Sequence, residues 1–141
     1  TKENGKYMSG LTAADDTARK EATERFARAC FAAPPPASEL GPWLAAAGVL
    51  PASVHTAVQH MNVGEIEPAL RGLSKPTLVL QGRLDALVAP AMARYTASIV
   101  RGARESAYEG SGHAPFVDET RRFDEELAAF VEAAGRARQQ R

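Results

Sequence analysis

The sequence predicts an α/β fold: two parallel strands joined by a crossover helix, with a run of small helices ahead of them. Three observations predict it. Residues 75–90 open with Pro76 and the apolar, β-branched run Thr77-Leu78-Val79-Leu80, closed by Gln81 and Gly82, which reads as a strand buried on both faces. Residues 103–109 read as a second strand, polar enough to lie near a sheet edge. Residues 11–61 show helical spacing, three turn or loop breaks and no strand signal. Burial on both faces is the habit of parallel sheets covered by helices.

In chain order, residues 1–10 are polar and without periodicity, and read as a loop or a cut end. Thr12-Ala13-Ala14-Asp15 resembles a capping box for an Ala-rich helix in which Ala18, Ala22, Phe26, Ala29 and Cys30 recur at helical spacing. That helix is expected to run to Ala33, where Pro34-Pro35-Pro36 stops it. Ser38 suits the N-cap of a short helix carrying Leu40, Trp43, Leu44 and Ala47, with Gly48 as its stop. Pro51 fits the first turn of a helix whose Val54, Val58 and Met61 share a face, and residues 65–73 form one more helical piece. Pro90 then starts the crossover helix, with Met92, Tyr95, Ile99 and Val100 inward and Gly102 at its end. Right-handed connection is the rule for such units. Thr120 caps a last helix with the apolar stripe Phe123, Leu127, Phe130, Val131 and Ala134, ended by Gly135, and residues 136–141 fray.

Composition narrows the function classes. The chain has 141 residues, enough for one domain, and zero formal net charge. It has no basic stripe for nucleic acid, no charged cluster for anionic lipid, no apolar run of membrane-spanning length and no signal peptide. The single Cys30 excludes an internal disulfide and a Cys-rich metal site, and fits a cytoplasmic setting. Two strands make only one βαβ unit, whereas a strand as apolar as 77–80 needs neighbours on its edges and helices on its faces. The expectation is therefore a part of something larger, with the other strands coming from a preceding half or another chain.

The chemistry concentrates at two strand ends. Ligands in open α/β sheets bind beyond the carboxyl ends of the strands. Asp85 follows the first strand, and His113, in Gly110-Ser111-Gly112-His113, follows the second. An imidazole is the usual general base, and a carboxylate on its Nδ1–H fixes the tautomer and steadies the imidazolium. The plainer reading is that Asp85 caps a turn before Pro90 and that His113 is a solvated loop residue. His55 and His60 stand five apart, a spacing that does not put them on one helix face for a metal. Asp118 and Glu119 could accept bonds near the His loop, but as N-terminal acids they more readily suit the start of the last helix. Trp43 either lines an apolar pocket or glues one helix to its neighbours.

Taken together, Gly82-Arg83-Leu84-Asp85-Ala86-Leu87-Val88-Ala89-Pro90 and Gly110-Ser111-Gly112-His113-Ala114-Pro115-Phe116 resemble the acid and histidine motifs of the C-terminal half of α/β-hydrolases. The closest flavour is that of esterases and cofactor-free haloperoxidase-like members. The resemblance implies that residues 1–73 are a helical cap and 74–141 the C-terminal part of the hydrolase core. It implies Asp85 and His113 as catalytic acid and base, and no metal or organic cofactor. It places Trp43, Leu87, Val88 and Ala114 beside an ester-like, partly apolar small-molecule substrate. The family's Gly-x-Ser-x-Gly elbow is missing: Ser9 lacks the first glycine, Ser111 lies outside an elbow and Cys30 is mid-helix. A Ser nucleophile and oxyanion hole are then expected from an N-terminal half of the core, upstream or in another chain. The alternatives are a dehalogenase or carbon–carbon bond hydrolase within the same fold, or a non-catalytic fragment or interaction subunit.

Overall fold

A computed structural model describes residues 5–48, 51–60, 64 and 66–139. Among the described residues, five helices precede the first strand: α1 (Gly5–Met8), α2 (Asp16–Ala29), α3 (Ala37–Gly48), α4 (Ala52–Gln59) and α5 (Ile66–Arg71). Strand β1 (Leu78–Gly82), helix α6 (Pro90–Ile99) and strand β2 (Arg104–Tyr108) form the βαβ unit, and α7 (Pro115–Asp118) and α8 (Thr120–Gln139) end the chain. Among the described residues the sheet has two strands, paired in parallel from Leu78 opposite Arg104 to Gly82 opposite Tyr108. Helix α6 packs on both strands. No described helix is long and apolar enough to cross a membrane.

The order of elements is the one expected, and the differences lie at helix ends and faces. Residues 5–8 form a helical turn rather than a loop, while residues 1–4 lie outside the described part. The N-cap of α2 is Asp15, not Thr12: its carboxylate accepts from Ala18 N–H at 2.8 Å. An ionised acceptor facing the positive end of a helix outcompetes a hydroxyl three residues earlier. The helix stops at Ala29, four residues before the expected end, because Cys30–Phe31 turn back in tight three-residue bonds to Ala27 and Arg28. Helix α3 already includes Ser38, since the Pro36 carbonyl accepts from both Glu39 and Leu40 N–H. Thr120 opens α8 instead of capping it, its hydroxyl donating back to the Phe116 and Val117 carbonyls. Gly135 is passed through, for α8 runs on to Gln139. Met61, Glu65, residues 140–141 and the His55 side chain lie outside the described part.

Burial also differs. In α6 the inner face is Ala93 and Val100, whereas Met92 and Tyr95 face outward. Val54 and Val58 of α4 are exposed as well. Strand β1 was expected to be buried on both faces, yet Leu78, Val79 and Leu80 are only half-buried, and burial is complete only at Gln81 and Gly82. One neighbouring strand and one helix do not cover a strand that apolar.

The tightest apolar packing lies where the helical segment meets the loop after β2. Phe31 and Leu40 bury against Ala114, with Ala27, Cys30, Leu44 and Val117 around them. On the other side, Glu126 of α8 accepts from both Ser106 and Tyr108 hydroxyls of β2, and the Arg122 guanidinium lies 4.0 Å over the Tyr108 ring. Burial first, and then the Glu126 bond, pushes the fully buried Tyr108 phenol up to about 12.

Candidate active site

Asp85 sits in the turn that leaves β1. Its Oδ1 accepts from the N–H groups of Leu87 (2.8 Å) and Val88 (2.9 Å), an Asx-type turn that a short acid makes readily. Its Oδ2 accepts from Gln81 Nε2 at 2.7 Å and from His113 Nδ1–H at 2.8 Å. The Asp85 side chain is 2% exposed. Burial works against its charge, but the bonds from Val88, His113, Leu87 and Gln81 outweigh it and hold the carboxyl below the usual range. Asp85 therefore is the turn-former of the plainer reading and also the partner of His113.

His113 is carried by a loop gripped from two sides. On one side it lies against the end of β1: a Cβ at Gly82 would stand 1.9 Å from the Gly112 carbonyl oxygen, so only glycine fits. On the other it lies against the end of α2, where a Cβ at Gly112 would come within 2.7 Å of Ala32 N. Leu84 N–H donates to the Ser111 carbonyl, and Ala114 N–H to the Cys30 carbonyl. One oxygen of Asp118 accepts from Gly112 N–H (2.7 Å) and from Ala32 N–H (3.0 Å), joining the loop to the helical segment. Glu119 accepts from Gly110 N–H and the buried Ser111 hydroxyl, and the Ser111 bond foremost holds its carboxyl below the usual range. Asp118 and Glu119 thus brace the loop, the role ranked second from the sequence.

Held this way, the imidazole keeps its proton on Nδ1 toward an ionised, buried carboxylate and its lone pair on Nε2. With 42% of its side chain exposed, His113 can take a proton from a group brought to it.

The other candidates fall around this pair. Leu87 and Val88 bind Asp85 through their backbone and flank it. Ala114 is buried in the Phe31–Leu40 cluster. Trp43 is 44% exposed, with its ring 6.0 Å from Phe31 and 6.3 Å from Phe116, which is itself exposed. This aromatic row joins α3 to α7. Cys30 is unsuited to nucleophilic work: burial first, and then the Asp85 charge, pushes its thiol up to about 11. His60 lies at the C-terminus of α4, its Nδ1 on the Thr56 carbonyl. Gln81 was missed as a site residue. The only signal was one amide in an apolar strand, four positions before the acid.

Solved structures resemble the chain over most of its length. It shares 32% identity with a Burkholderia cenocepacia protein assigned as an aryl esterase, with a TM-score of 0.81 over 92% of this chain and 47% of the other. An esterase from Rhodococcus sp. is 25% identical, with a TM-score of 0.75 over 89% of this chain and 46% of its own. A bromoperoxidase from Bacillus anthracis, 19% identical with a TM-score of 0.75 over 92% and 48%, shares the fold. The chain thus spans about half the length of the structures it matches. No protein-family profile and no curated protein matches it.

Proposed function

Because this chain carries part of an α/β-hydrolase fold and is related to esterases of that fold, we propose that it supplies the acid and base of an ester hydrolase. The observation that carries this reading is the 2.8 Å bond from His113 Nδ1–H to Asp85, beyond the carboxyl ends of two adjacent parallel strands. His113 Nε2 takes the proton of a serine hydroxyl as its oxygen bonds to the ester carbonyl carbon. It returns that proton to the alcohol oxygen as the ester C–O bond breaks. Water then attacks the acyl-enzyme, losing its proton to the same nitrogen, and the serine leaves with the proton. Asp85 stays ionised throughout and stabilises each imidazolium.

The serine and the oxyanion hole come from the N-terminal part of the core, on the same polypeptide or another. Residues 1–73 act as the cap and 74–141 as the C-terminal part of the core. Trp43, Leu87 and Val88 border a substrate with an apolar portion, while Ala114, expected beside the substrate from the sequence, instead backs the His loop from within the Phe31–Leu40 cluster. The reaction needs no metal or organic cofactor, and a cytoplasmic setting suits the lone thiol.

The test uses the full-length protein that contains these residues. Asp85→Asn is expected to lower hydrolysis of a p-nitrophenyl ester by about 10⁴-fold and His113→Ala by about 10⁶-fold, while both leave the circular dichroism spectrum in place. Intact-mass spectrometry should show one fluorophosphonate adduct on the serine-bearing segment. Unchanged turnover in His113→Ala removes the assignment.

A further inference from the structure

We propose that Gln81 is a positioning residue for the base: its side-chain amide holds Asp85 Oδ2 in line with His113 and shares that oxygen's charge. The inference rests on the reading of Asp85 and His113 as an acid–base pair. Gln81 is 8% exposed, inside a strand that is otherwise apolar up to its terminal glycine. Its Nε2 lies 2.7 Å from Asp85 Oδ2, 3.1 Å from the Gly82 carbonyl and 3.4 Å from the Val88 carbonyl. All three partners accept and none donates. The amide orientation is therefore fixed by chemistry, since the reverse would turn its oxygen toward a carboxylate and two carbonyls.

The division of labour on Asp85 is distinct. Oδ1 is taken by the turn's own backbone, which shapes the loop. Oδ2 is taken by one side chain on the strand and one on the His loop. Among the described residues, Gln81 is the only group that links strand β1 to the oxygen that meets the imidazole. Its register opposite Ala107 puts it at the end of the sheet, where backbone pairing restricts movement. Besides His113, the titratable group facing Asp85 is Cys30 from the end of α2. With the amide removed, the loop keeps its Oδ1 bonds, but Oδ2 loses its second donor and its fixed direction. Oδ2 then meets the imidazole alone.

The experiment compares the wild-type full-length protein with Gln81→Met, which keeps length and apolarity but cannot donate. The expected result is a fall in kcat of about ten- to hundredfold with KM within about twofold, the scale of one hydrogen bond to a charged group. In protein labelled with ¹⁵N-histidine, the His113 Nδ1–H resonance is expected to move downfield. Should Gln81→Met fold poorly, Gln81→Glu decides, because its carboxyl donates to Asp85 only while protonated. It is expected to work at neutral pH and gain an alkaline limb in kcat that the wild type lacks. An unchanged resonance in Gln81→Met, or a Gln81→Glu profile that matches the wild type, overturns the proposal and leaves Gln81 as a loop brace. If turnover survives His113→Ala, the hydrolase reading fails by itself. The resonance still reports then whether Gln81 sets the Asp85–His113 geometry.

Discussion

Asp85 is buried, ionised and met by four donors, two on each oxygen. Its lowered folded pKa makes it a source of pH-dependent stability with a definite sign. The unfolded chain binds the proton more readily, so the contribution is complete above the unfolded pKa and is lost as pH falls through the folded one. In urea titrations from about pH 6 to about pH 2, the midpoint is expected to fall more steeply for wild type than for Asp85→Asn. A parallel pair of curves removes the idea. Asp85 and His113 were legible in the sequence because a strand's end and the loop that follows it are local events, and the sheet then brings two such ends together. Gln81 was not legible, since strand alternation says which face a residue takes but not which loop folds back over it. Asp118 and Glu119 were ambiguous for a related reason. A carboxylate near a helix start serves that helix or a neighbouring loop equally well, and only the tertiary path decides.

At the scale of elements, the His loop is a joint between three pieces: the end of β1, the end of α2 and the start of α7. Asp118→Ala takes one acceptor away from two backbone N–H groups, Gly112 and Ala32. It is expected to cost about 1.5–3 kcal/mol in urea denaturation of the full-length protein, with Asp118→Asn recovering part of that through its remaining carbonyl. A loss below about 0.5 kcal/mol would show that the two N–H groups find other acceptors. The elements themselves were readable from apolar spacing and from Pro and Gly punctuation. Their ends were not, because capping is a competition among neighbours: Asp15 won over Thr12, Pro36 over Ser38, and the Ala- and Arg-rich run around Gly135 carried the helix past it.

For the molecule as a whole, the accessible surface is 9419 Å² for 15.0 kDa. A compact chain of that mass exposes about 7,000 Å², so roughly a third more surface is open than a self-sufficient fold leaves. Exposed Leu127 and Val131 on α8 and the half-covered β1 are part of it. The 141 residues by themselves are expected to self-associate on size-exclusion chromatography and to melt without a sharp transition by circular dichroism. A monomer with a steep, reversible melt would refute the incomplete-sheet argument. The two-way grip of Asp118 has a consequence for any exchange of the helical segment. A transplanted segment must return a backbone N–H to the place of Ala32, or the graft will misalign the imidazole even though no residue of the acid–base pair has been touched.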